Sequence, residues 1–87
     1  QQAIQSLPPV PTMQNRLIVH LQREERQLES EARRTARRLT QGSAYMLAEI
    51  YARIRKIQAL IADVLGTTAE VIERLYIRLF IDHQQLV

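Results

Sequence analysis

Between residues 44 and 65, apolar side chains recur at Leu47, Ile50, Ile54, Ile57, Ile61 and Val64, in alternating steps of three and four. That spacing holds one stripe in register along an α-helix and forms the seam of a heptad repeat. A second stripe runs through Ala44, Ala48, Ala52, Arg55, Ala59 and Ala62. Its small side chains let another helix approach closely, while the remaining polar strip of Glu49, Arg53, Lys56 and Asp63 is narrow. A helix apolar on two faces belongs in the middle of a bundle or between subunits.

The flanking segments predict two further helices. Upstream, Thr12 is a candidate cap for a helix over about 13–40, apolar at Leu17, Ile18, Val19 and Leu21 and then along a narrower stripe of Leu28, Ala32, Ala36 and Leu39. Gly42 reads as a helix stop and Ser43 as the next start, so the two long helices should fold back on one another. Downstream, Gly66 ends the second helix, and Thr67-Thr68-Ala69-Glu70 fits a capping box centred on the Thr67 hydroxyl and the Glu70 carboxylate. A third helix over about 68–85 carries Val71, Ile72, Leu75, Tyr76, Ile77, Leu79, Phe80 and Ile81, spread beyond one face. Residues 1–11 hold Pro8, Pro9 and Pro11 and predict an extended arm, because proline lacks an amide proton and biases its predecessor toward extended geometry.

The expected fold is therefore all-α. A long antiparallel hairpin and a third helix (about 13–40, 44–65 and 68–85) make one domain over 12–87, behind an arm over 1–11. Helix packing is expected from the six seam residues together with Ile72, Leu75, Leu79 and Phe80.

Composition changes this picture in one respect. Apolar residues make up 46% of only 87, more than a small three-helix monomer readily hides, so copies of the same chain are the expected sink for the surplus. No cysteine is present, and His20 and His83 stand far apart without ligand-spaced partners, so neither a metal nor any other cofactor is expected. The neighbouring carboxylates Glu24/Glu25 and Glu29/Glu31 lie on a charged helix rather than around a cleft, and the Ser and Thr residues serve as caps; no catalytic constellation emerges. No apolar run approaches the roughly 18 residues of a membrane span.

Charge supplies the candidate chemistry. Eleven of the twelve cations are arginines, and seven of the twelve fall between residues 33 and 56: Arg33, Arg34, Arg37, Arg38, Arg53, Arg55 and Lys56. Glu49 is the single acid there, so this segment carries +6 and the remainder −3 of the net +3. A hairpin turning near Gly42 carries these residues toward its tip, within roughly 5–20 Å at about 1.5 Å per residue. Glu29–Arg33 and Glu49–Arg53 have the favourable i,i+4 order for ion pairs. The other cations repel one another unless an anion lies nearby, which points to a polyanion at the tip. The plainer alternative is a solvated charged face; if the partner is a nucleic acid, the absence of a zinc finger, helix-turn-helix spacing and an aromatic platform predicts phosphate contacts without sequence specificity.

Across the whole chain, the proline arm, long hairpin, Gly42 turn, arginine tip and two-faced helices resemble the small helical-hairpin major coat proteins of rod-shaped or bacilliform archaeal DNA viruses. The resemblance implies a structural virion subunit that assembles helically with copies of itself and packs double-stranded DNA. A second likeness runs through Leu7-Pro8, Glu49-Ile50-Tyr51-Ala52-Arg53-Ile54-Arg55-Lys56-Ile57, Thr68-Ala69-Glu70 and Leu75-Tyr76, which look like the helical domain of an archaeal GINS-type replication factor. That likeness implies a cytoplasmic replication complex and a helicase partner. A third reading is a helical adaptor that takes another protein's helix in a groove.

Overall fold

The computed structural model describes residues 7–38 and 40–82. It is all-α: α1 spans Val10–Ala36, α2 Gln41–Gly66 and α3 Ala69–Tyr76, and the chain then continues as a π-helical segment, Ile77–Asp82. Its extents are 52 × 31 × 14 Å, a long and flattened body. The antiparallel α1–α2 hairpin is its main contact, and α3 packs back chiefly against α1.

α1 begins earlier than the sequence predicts. Pro9 (φ −58°, ψ 153°) occupies the cap position, and its carbonyl accepts from the amides of Thr12 and Met13. Pro11 lies in the first turn, where a missing amide proton costs nothing because those amides have no helical partner. The extended stretch therefore stops short of Pro11, and Thr12 is helical rather than a cap. Leu7 and Val10 pack on the main core, which ties this end down; residues 1–6 of the expected arm lie outside the described residues.

The turn between α1 and α2 also differs from expectation. α1 closes at Ala36, with the Arg37 amide donating to the Arg34 carbonyl and the Arg38 amide to the Thr35 carbonyl. Thr40 belongs to the next helix as its cap. Its hydroxyl accepts from the Ser43 amide at 3.1 Å, and the Ser43 hydroxyl accepts from the Thr40 amide at 2.9 Å. This reciprocal pair satisfies two backbone donors at the turn. Gly42 sits inside the first turn of α2, so a capped start rather than a glycine stop reverses the chain. Thr40→Ala should lower stability by about 1 kcal/mol, seen as a lower urea midpoint with an unchanged slope; no measurable shift would reject the cap's role.

At the second junction Thr68, not Thr67, caps α3: its hydroxyl accepts from the Val71 amide at 3.4 Å. That register puts Glu70 one position too early for the expected capping box. The α-helix ends at Tyr76, and the wider π winding over Ile77–Asp82 accompanies ring contacts of Phe80 with Tyr76 (centroids 4.8 Å apart) and His20 (5.7 Å). Residues 83–85 of the expected third helix, and His83 with them, lie outside the described residues.

Two clusters form the core. The larger joins Met13, Leu17 and Leu21 of α1 to Ile57 and Val64 of α2 and to Ile72 and Tyr76 of α3. The smaller, toward the α1–α2 turn, joins Ala32 to Ile50 and Ile54, with Leu28 and Leu47 alongside. Polar links fix the register: Gln14 donates to the Val64 carbonyl at 2.9 Å, and Arg16 donates to the Tyr76 hydroxyl at 2.7 Å. Val64 is in the last turn of α2, where a carbonyl has no helical donor, so Gln14 satisfies a group the helix leaves open. Among the described residues, no buried side-chain polar atom lacks a hydrogen-bond partner.

Candidate nucleic-acid interface

The heptad seam of α2 points inward throughout. Ile50, Ile54, Ile57 and Val64 are buried and Leu47 and Ile61 half-buried, all against α1 or the main core. Of the expected packing residues in the third helix, Ile72 is buried and Leu75 and Phe80 are half-buried, whereas Leu79 lies 40% exposed. The second stripe behaves differently. Ala44, Ala48, Ala52, Arg55, Ala59 and Ala62 are all exposed, as are Tyr45 and Tyr51. Within one chain, α1 rather than α2 therefore takes the middle place, and α2's second face is open. Ala36, expected on the inward stripe of α1, is exposed as well, and Leu39 lies outside the described residues.

The seven candidate cations are all exposed, but they do not form one pole. Arg33, Arg34, Arg37 and Arg38 ring the C-terminal end of α1, where the helix dipole favours positive charge. Arg53, Arg55 and Lys56 lie about 18–22 Å along α2 from its start, at 1.5 Å per residue. The packing of Ala32 on Ile50 and Ile54 and the bond from Gln58 to Glu25, 2.9 Å long, place them beside the C-terminal half of α1, short of its end. There Arg53 and Lys56 share a shallow groove with Glu24 and Glu31 over a floor of Leu28, Ile57 and Leu60. Arg55 points elsewhere, about 160° around the helix from Arg53 and about 100° from Lys56.

The expected Glu29–Arg33 and Glu49–Arg53 ion pairs do not form. Among the described residues the one contact of this kind is between the His20 Nε2 and the Glu24 carboxylate, 3.7 Å apart, and no arginine or lysine makes one. Arg34 donates to the neutral Ser30 hydroxyl at 3.1 Å. The end of α1 is thus a group of four cations with no carboxylate drawn onto it, placed where water or a phosphate oxygen can complete their donors.

Dividing the charge by stretches of chain overlooks Arg16, Arg23 and Arg26, which are also exposed on α1. Their signal is a spacing, not a run: steps of seven, three, seven and four connect Arg16, Arg23, Arg26, Arg33 and Arg37. Among the described residues no three His, Asp or Glu side chains gather as metal ligands would. No helix there is long and apolar enough to cross a membrane.

No protein-family model, curated protein or solved structure matches the chain. What the molecule does must therefore be argued from its own surface.

Proposed function

We propose that the chain is a structural subunit, a coat or nucleoprotein that assembles with copies of itself and packs double-stranded DNA through its arginine-bearing end. The observation that carries this reading is the group of Arg33, Arg34, Arg37 and Arg38, all exposed and with no carboxylate partner among the described residues. Guanidinium groups bind phosphate oxygens through paired N–H donors, and each contact releases condensed counterions from the duplex. The open face of α2 supports the assembly half of the reading. Five alanines with Tyr45 (72% exposed) and Tyr51 (49% exposed), interrupted by Arg55, leave a mostly apolar surface on which a second copy's helix has room to pack.

The contact is with the backbone, so it reads no bases. The double variant Arg34→Ala with Arg38→Ala should weaken binding about 10- to 100-fold at 0.1 M salt, and equally for unrelated duplexes. Affinity unchanged across a salt titration, or lost for one duplex and kept for another, would reject this mode of binding.

A further inference from the structure

The end of α1 is only part of a longer feature. At about 100° per residue, Arg16, Arg23, Arg26, Arg33, Arg34 and Arg37 fall within an arc of about 100° on α1. The core side chains Met13, Leu17, Leu21, Leu28, Ala32 and Thr35 occupy the opposite side, so α2 and α3 leave this arc open except at its edge, where Arg16 meets Tyr76 of α3. All six arginines are exposed. The four carboxylates of α1, Glu24, Glu25, Glu29 and Glu31, lie at least about 40° beyond the arc's edges, and the other residues within it are Thr12, Asn15, Val19 and Ser30. The result is an acid-free row of cations about 32 Å long, from Arg16 to Arg37, at 1.5 Å per residue.

We propose that this whole outer face of α1, and not its C-terminal end alone, is a track for the phosphate backbone of double-stranded nucleic acid. The proposal rests on the reading above and extends its site to Arg16, Arg23 and Arg26. Three observations select the partner. The row is close to one duplex turn long, about 34–36 Å, and a single rigid helix carries it, so it suits a partner of fixed shape. The arc contains no aromatic side chain, whereas single-strand binders combine cations with stacking platforms. Val19 is its one apolar residue, and α1's apolar face is spent in the core, so the row lacks what a helix lying on a lipid surface needs. Arg16 and Arg34 each donate one bond to a neutral hydroxyl, Tyr76 and Ser30, which orients the guanidinium and leaves other donors free.

The test compares three full-length chains on two unrelated 30-base-pair duplexes from 0.05 to 0.5 M NaCl: the wild type, Arg23→Ala with Arg26→Ala, and Arg74→Ala with Arg78→Ala. The last removes the same charge from exposed positions off the track. The Arg23/Arg26 variant should flatten the log–log salt slope by about 1.8 and lose about 60-fold in affinity at 0.1 M salt, while the Arg74/Arg78 control keeps the wild-type slope. Both replaced pairs are exposed, so unchanged helical circular dichroism is expected throughout. A wild-type slope in the Arg23/Arg26 variant, or an equal loss in the control, overturns the track and leaves the arginine end standing. Absence of duplex binding by the wild type at low salt, or tighter binding to anionic vesicles than to duplex, overturns the track together with the reading on which it rests.

Discussion

Replacing Leu17 with alanine is expected to cost the fold about 3–5 kcal/mol. Leu17 is 1% exposed and sits where all three helices meet, among Met13, Leu21, Ile57, Val64, Ile72 and Tyr76. Truncation removes three carbons from that junction. The side chains around it come from separate elements held by their own caps and hydrogen bonds, so they cannot simply close over the gap. The cost therefore includes a cavity as well as lost transfer energy. A domain of this size is stable by only about 5–15 kcal/mol, so much of the margin disappears. Leu65→Ala is the matched control: at 63% exposure it should change stability by less than about 0.5 kcal/mol. Both are read by urea denaturation at one fixed chain concentration, because the proposed self-association would make apparent stability concentration-dependent. A Leu17→Ala cost below about 1 kcal/mol would show that the three-helix junction is not the folding core.

The second large effect concerns binding. Exchanging Arg33, Arg34, Arg37 and Arg38 for glutamine together carries the net charge from +3 to −1, one unit per exchange. All four are exposed and glutamine is a good helix former, so the helical content should survive. Duplex affinity should not. Four phosphate contacts contribute a log–log salt slope of about −3.6, so their loss removes more than three orders of magnitude at about 0.1 M salt. The effect should shrink steadily as salt rises, since the free energy lost is that of counterion release. Electrophoretic or fluorescence titration at several salt concentrations reads both quantities. A variant that binds like the wild type would place the contact elsewhere on the molecule.

The parts of this molecule legible in its sequence are those that depend on periodicity. Leu47, Ile50, Ile54, Ile57, Ile61 and Val64 announce a helix and its inward face because burial requires a repeat that matches helical pitch, and the structure turns every one of them inward. The all-α hairpin with a third helix follows from that repeat and from the Ser and Thr residues between segments. Boundaries were less legible because neighbouring residues compete for one role. Thr40 and Ser43 both suit a cap, as do Thr67 and Thr68, and only the closed bonding pattern chooses Thr40 and Thr68. Pro11 is equally compatible with an extended chain and with the first turn of a helix. Leu7 and Val10 lie against the core, and that packing favours the helix.

The candidate interface was half legible for a related reason. Counting charge along the chain finds Arg33–Arg38, which are adjacent in sequence, and groups them with Arg53–Lys56, which stand farther from the turn and beside Glu24 and Glu31. The same counting misses Arg16, Arg23 and Arg26, which are distant in sequence and share a face with Arg33 and Arg37. A face becomes visible only when it is known which side of α1 the core occupies. The alanine stripe of α2 reads as a face for another helix, within a bundle or between subunits; alanine carries too little apolar area to choose between them, and within one chain the stripe is open.

The proposed function depends on exposed arginines meeting phosphates. The most direct measurement is the dissociation constant of the wild-type chain for a random duplex of about 30 base pairs, taken across a tenfold range of salt. A straight log–log line steeper than about −3 is expected, the same for any duplex sequence. A flat line, or no association at the lowest salt, would contradict it.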